Sequence, residues 1–153
     1  MYTLQSLQAT ELKNKNWEEI PECSGIYKIL VPDNMQIQFS NQQHGRHVGN
    51  ANLYSADKLE KKYAMCKDGD KKILYIGKAG GEKGLRQRLR QYINYGVGKS
   101  ENHKGGRAIW QVRDCWKLLV CYEPCENPSE REHELLIEYK KRNGCYPLAN
   151  WKS

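Results

Sequence analysis

Polar side chains that stand where apolar ones are expected mark the places where this chain could do chemistry. From Pro128 to about Asn143 the sequence has a helical period, with Gly144 as its stop. Stepping 100° per residue puts Leu135, Tyr139 and Leu136 at about 0°, 40° and 100°, and Glu132 at about 60°, inside their apolar stripe. Glu130, Glu134 and Glu138 fall on the outer side. A carboxylate turned toward an apolar face needs a cation or a metal beside it. The ordinary alternative is a first-turn glutamate that favours the helix dipole and reaches water. A second helical period covers Gly84–Ile93, with Leu85, Leu89, Tyr92 and Ile93 on one face. Arg86 and Arg88 flank that face on opposite edges and Arg90 points away, so Arg86 and Arg88 both remain candidates for a guanidinium in a site. Either could equally snorkel to solvent.

Two stretches around these helices read as strands. Ser24–Val31 (SGIYKILV) is β-branched and aromatic and ends at Pro32-Asp33; Lys71–Lys78 (KKILYIGK) follows the Lys67–Asp70 turn. Alternation puts Tyr27 on the face of Ile29 and Val31, and Tyr75 on the face of Ile73 and Gly77. Tyrosines in strands are ordinarily core aromatics. Lys78 closes the second strand beside a glycine-rich turn, where its ammonium could reach an anion.

The remaining elements follow the same logic. Residues 1–22 form an N-terminal arm with a helix near Glu11–Ile20. Residues 32–70 are polar and rich in Asn, Gln and Gly, with a short helix around Ser55–Met65. Arg107–Arg113 is a short helix or strand, and Trp116–Tyr122 is a third strand. The expected order is strand, strand, helix, strand, helix. That predicts an α+β domain, a small three-stranded antiparallel sheet flanked by helices, spanning residues 23–153 with residues 32–70 inserted between the first two strands.

Composition bounds the partners. The chain has 153 residues and suits one core. It carries 25 Lys and Arg against 18 acidic residues, a formal charge of +7 that favours an anionic partner such as nucleic acid, a phosphorylated ligand or a lipid surface. The charge is concentrated: Lys71–Lys117 holds 12 basic and 3 acidic residues, whereas Leu118–Glu138 holds six glutamates and one arginine. A basic middle before an acidic helix is compatible with an anion site beside carboxylates, or with two solvated surfaces. No apolar run is long enough to span a membrane, and the N-terminus shows no secretory leader, so a cytoplasmic protein is expected. The six cysteines include no CxxC pair and are expected to be reduced thiols packed as small hydrophobes, with a structural zinc site as the distant alternative.

Gly25-Ile26-Tyr27 followed by Tyr75-Ile76-Gly77 resembles the name-giving motif of the GIY-YIG endonuclease family. Both tripeptides occur in order on expected strands, and the family's later elements follow between there and Asn150. The resemblance chooses Arg88 over Arg86, since Arg88-Leu89 with Tyr92 four residues on matches the family's arginine helix. It also selects Glu132, which has Leu135 and Leu136 at +3 and +4; the long spacing from Glu132 to Asn150 keeps Glu138 as a rival. Asn150 matches the family's closing asparagine, and Lys78 the lysine that follows YIG in restriction-type members. The gap between the two tripeptides is longer than the family's short hairpin, which makes residues 32–70 an insertion.

The resemblance implies a one-metal DNA endonuclease that leaves a 5′-phosphate and a 3′-hydroxyl. Glu132 would hold Mg²⁺ or Mn²⁺, and Arg88 would bind the scissile phosphate. Tyr27 would orient or deprotonate the attacking water, helped toward phenolate by Lys78, and Tyr75 would position water or phosphate. Arg86, Tyr92, His103, Lys104, Arg107 and Asn150 would contact DNA. No small-molecule cofactor is expected, and one site per chain favours a homodimer or sequential nicking. In the insertion, Gln36, Gln38, Asn41, Gln42, Gln43, His44 and Arg46 read as a solvated loop, with base-edge contacts as the alternative. A binding module that has lost cleavage, and a structure-specific repair nuclease that acts with partners, are the competing readings.

Overall fold

A computed structural model describes residues 5–14, 16–41, 53–66, 72–99 and 104–151. The chain order is β1 (Gln5–Gln8), α1 (Ala9–Lys13), β2 (Gly25–Leu30), α2 (Ala56–Met65), β3 (Ile73–Ala79), α3 (Gly84–Gly96), β4 (Leu119–Pro124) and α4 (Pro128–Asn143). Short 3₁₀ helices lie at Trp17–Glu19, Lys104–Gln111 and Cys115–Lys117. The strands form an antiparallel sheet in the order β1-β4-β2-β3, so the domain is α+β.

The sheet has four strands where three were expected. The fourth comes from the N-terminal arm: Gln5 pairs with Tyr122 and Gln8 with Leu119. Gln5-Ser6-Leu7-Gln8 has little intrinsic strand signal, and the ladder offered by β4 overrides propensity. The expected helix at Glu11–Ile20 is shorter and earlier, and its end is a 3₁₀ turn capped by the Asn16 side chain, which accepts from the Glu18 N–H at 3.1 Å. The third expected strand begins later than Trp116, because Cys115–Lys117 form a 3₁₀ turn.

The sheet separates two layers. On one face Tyr27, Ile29, Tyr75 and Val120 join α3 and the 3₁₀ segment in the main core, which contains the fully buried Leu85, Leu89 and Trp110. Each such aliphatic side chain contributes about 1.5–3 kcal/mol when fully buried. On the other face Ile26 and Ile76 pack beneath Leu136 of α4, with Leu135 at the margin. A bulge between Ile29 and Leu30 leaves Leu74 without a ladder partner, pairing Ile29 with Tyr75 and Leu30 with Ile73. The extra residue reverses the alternation, so Leu74 enters the main core and Ile73 packs with Ile76 instead of sharing the face of Tyr75.

The helices begin and end as their sequences direct. Ser55 caps α2 by accepting from the Lys58 N–H at 3.1 Å. Pro128 opens α4, and Gly144 closes it in the left-handed region at φ 79°, with Lys140, Lys141 and Arg142 in the last turn favouring the dipole.

The inserted segment is anchored where it is described, contrary to a wholly solvated loop. Phe39 bridges to Val112, and Phe39 and Leu59 are buried in the main core. The Asn41 side chain accepts from the Ala56 N–H at 2.9 Å, and Gln36 and Gln38 are exposed. Gln42, Gln43, His44 and Arg46 lie outside the described residues.

Cys66 and Cys145 are joined in a disulfide, where free thiols were expected. Tertiary packing brings the end of α2 against the turn after α4, with Cα atoms 5.8 Å apart, and a separation of 79 residues hides that pairing in the sequence. Cys23, Cys115, Cys121 and Cys125 are not disulfide-bonded. No helix among the described residues is long and apolar enough to cross a membrane.

Candidate active site

Strand β3 is an edge strand, and the two helices that cover opposite faces of the sheet both reach its rim. Between them lies a cleft of about 450 Å³, lined by Tyr75, Lys78, Gln87, Arg88, Gln91, Ser129 and Glu132 among others. It draws its side chains from β3, the first half of α3 and the first turns of α4.

Tyr27 lies beneath this cleft. It pairs with Gly77 across the β2–β3 ladder and is fully buried, its ring centroid 5.8 Å from that of Tyr75. The ring passes over Gly77, where any Cβ would collide with it. Gly25 is constrained in the same way by the Glu123 carbonyl and Leu85. Both glycines of the paired tripeptides are therefore set by packing.

The two phenols and Arg88 form one hydrogen-bonded group. Burial raises the Tyr27 pKa well above that of a free tyrosine, the Tyr75 phenol adds to this, and Arg88 opposes it. Tyr27 thus stays protonated at neutral pH and acts as donor toward Tyr75. Burial also raises the Tyr75 pKa, while hydrogen bonds from Tyr27 and Arg88 lower it. Tyr75 lines the cleft, and its phenol is hydrogen-bonded by Tyr27 and Arg88.

The expected cation beside Tyr27 was Lys78, and the structure places Arg88 there instead. Lys78 pairs with Ile26 across the ladder and so projects from the opposite face of the sheet. Its Nζ donates to Ser129 Oγ at 3.2 Å and stands 4.0 Å from Glu132 Oε1.

Glu132 occupies the position its helical angle implied. Its side chain is 20% exposed, with Lys78 as a cationic partner. Burial raises its pKa above that of an ordinary glutamate, against the pull of Lys78 and Arg88. The rival Glu138 is exposed, lies outside this cleft and pairs with Arg142 at 2.8 Å; Glu134 pairs with Arg131.

The two arginine candidates separate cleanly. Arg88 enters the cleft and donates through Nη1 to Gln91 Oε1 at 3.1 Å. Arg86 clamps the segment before β2: its Nε donates to Ile20 O at 2.7 Å and its Nη2 to Glu18 O at 3.1 Å, and it ion-pairs with Glu22.

Other expected DNA contacts lie elsewhere. Tyr92 is fully buried against Trp110, with centroids 4.8 Å apart, because it falls within the apolar stripe of α3; it is a core residue and not a DNA contact. The Asn150 side chain is buried against β3, accepting from the Ile76 N–H and donating to the Ile76 carbonyl, both at 2.9 Å. This extends the ladder beyond the edge strand, beside Tyr75. Arg107 is half-buried, and its guanidinium lies 5.6 Å from the Tyr54 ring. Lys104 lies in the 3₁₀ helix, but its side chain and all of His103 fall outside the described residues.

Sequence reasoning missed Gln87, Gln91 and Ser129 in the cleft. The available signal was spacing: Gln91 stands three residues after Arg88, within side-chain reach on a helix.

No protein-family model, curated protein or solved structure matches this chain in comparison.

Proposed function

We propose that this chain is a divalent-metal-dependent DNA endonuclease of the GIY-YIG kind, with that family's α/β sandwich and a long insertion between its first two motif strands. The observation that carries the reading is convergence: Tyr75, Arg88 and Glu132 meet at one cleft over Tyr27, although they come from four separate elements. A basic chain with this cleft suits a phosphodiester substrate.

The residues present fit a hard divalent cation. No group of three or more His, Cys, Asp or Glu is assembled among the described residues. Mg²⁺ needs only one or two carboxylates when substrate phosphate and water complete its shell. Glu132 is half-buried, opens onto the cleft and is held close to Lys78, so Glu132 would carry Mg²⁺ or Mn²⁺. When bound, the ion supplies Lewis-acid polarisation of the phosphate and charge stabilisation at the leaving oxygen.

The side chains divide the rest of the work. Arg88 presents its planar guanidinium to the non-bridging phosphate oxygens, oriented by Gln91. Water oxygen bonds to phosphorus while the bond to the 3′-oxygen breaks; the leaving oxygen takes a proton from solvent water, giving a 5′-phosphate and a 3′-hydroxyl. Tyr75, not Tyr27, takes the water's proton in this reading, because Tyr75 lines the cleft, Tyr27 lies beneath it, and Tyr75 receives hydrogen bonds from both Tyr27 and Arg88. Tyr27 donates to it from the core and holds its ring in place.

The test is supercoiled plasmid DNA incubated with the purified chain in Mg²⁺, in Mn²⁺ and in EDTA. Metal-dependent nicks or cuts that vanish in Glu132→Ala and persist in Glu138→Ala support the reading. Binding without any cutting, on plasmid and on a panel of branched DNAs, overturns it in favour of a DNA-binding module of the same fold.

A further inference from the structure

A second cavity, of about 430 Å³, lies on the far side of α3 from the cleft. Gln87 and Gln91 line both cavities. They stand one helical turn apart, about 6 Å between Cβ atoms, and form the ridge that divides the two spaces. That spacing runs along the helix, so a strand passing from one cavity to the other crosses a single row of side chains.

The chemistry beyond the ridge suits a nucleotide. Lys83 and Arg90 line the second cavity, and the Arg90 guanidinium lies 5.6 Å from the centroid of the Trp17 ring. Trp17 supplies a face on which a base can stack, and a guanidinium over an aromatic ring is a recurring partner of nucleic acid. Arg86 also lines the cavity, and its ion pair with Glu22 neutralises that carboxylate, leaving Glu18 as the opposing charge. Helix α3 itself contains three arginines and no acidic residue. The polar stripe of Lys83, Gln87, Arg90 and Gln91 therefore offers cations and amides along the face opposite the buried one.

We propose that this second cavity is a flanking-nucleotide subsite, which holds the cleaved strand one or two nucleotides from the scissile phosphate. The inference rests on the nuclease reading for its register, but the subsite itself is a binding surface and is tested as one. Gln91 links the two sites, since its Oε1 receives Arg88 while its side chain also lines the second cavity. A strand lying across the ridge meets Arg88 at its scissile phosphate, and Lys83 and Arg90 at the next.

The experiment uses the full chain and a fluorescein-labelled DNA duplex of about 30 base pairs and mixed sequence, read by anisotropy in EDTA over a series of salt concentrations. Plasmid nicking in Mg²⁺ is measured in parallel. Lys83→Ala with Arg90→Ala removes two phosphate contacts, so the salt slope falls by about 2 and affinity falls by about tenfold or more. Glu18→Gln removes the opposing charge and tightens binding. Single-turnover nicking by the wild-type chain at saturating protein reads the nuclease separately from the subsite. Unchanged affinity and salt slope in the double variant, with nicking intact, overturns the subsite and leaves the nuclease standing. Affinity lost in the double variant, with a wild-type chain that never nicks, sustains the nucleotide-binding surface and removes the nuclease. Circular dichroism melting of each variant confirms that a change in binding is not a change in folding.

Discussion

Gly77 makes room for the phenol of Tyr27: a Cβ built on Gly77 would stand 2.6 Å from the Tyr27 hydroxyl oxygen. The glycine of one tripeptide is therefore the seat of the tyrosine of the other. Gly77→Ala forces the ring or the strand to move, at about 1–3 kcal/mol for an overpacked core. The expected outcome is a lower thermal midpoint together with lost nicking, because Tyr27 can no longer support Tyr75. Tyr27→Ala in the same background relieves the clash. A double variant no less stable than Gly77→Ala alone, despite losing a buried ring, checks the contact directly.

Arg86 and Arg88 lie two residues apart and are expected to respond in opposite ways. Arg86→Ala breaks hydrogen bonds to Ile20 and Glu18 and the ion pair to Glu22, so stability falls by about 1–3 kcal/mol while nicking by the folded protein persists. Arg88→Lys keeps the charge but removes the fork that the proposed reaction needs at the phosphate, and the nicking rate is expected to fall by about 10²–10³-fold. Denaturation midpoints and single-turnover rates on the same preparations separate the two.

The cleft also sets the sign of the pH dependence. Burial raises the Glu132 pKa, so on acidification its carboxylate is lost at higher pH than an exposed glutamate would be. Burial raises the Tyr75 pKa too, so its phenolate is scarce at neutral pH and grows tenfold per pH unit below that pKa. Both effects make the rate rise with pH, and the log rate should climb steadily between about pH 6 and 9. Tyr75→Phe should lower the rate and flatten the alkaline limb. A flat limb in the wild type would assign the proton to another group.

The Cys66–Cys145 disulfide closes a long loop that joins α2 to the segment carrying Asn150. A bridge of that span stabilises by about 2–4 kcal/mol. Thermal melting with and without dithiothreitol should show a drop, and the Cys66→Ser, Cys145→Ser double variant should match the reduced wild type and ignore the reductant.

Much of the site was legible because its determinants are local. The angle of Glu132 within its own helix placed it inward, and the tripeptides flagged Tyr27 and Tyr75 before any packing was known. The wheel could not choose between Arg86 and Arg88, since both flank the same apolar stripe. Their fates were decided by what lies opposite each edge: the Ile20–Glu22 segment for one, the β3 rim for the other.

The sequence by itself determined α2, α3 and α4, the strands β2, β3 and β4 and the inward carboxylate, because period, caps and turn residues act within a few positions of one another. Only the tertiary structure decided the fourth strand, the Cys66–Cys145 pair, the partner of Tyr27 and the burial of Asn150 against Ile76. Each of those joins residues distant in the chain, and a long-range contact is selected by the shape and unsatisfied hydrogen bonds of the surface that receives it. The bulge at Leu74 is the smallest instance: one extra residue turned Ile73 to the other face, which no pattern of alternation could announce.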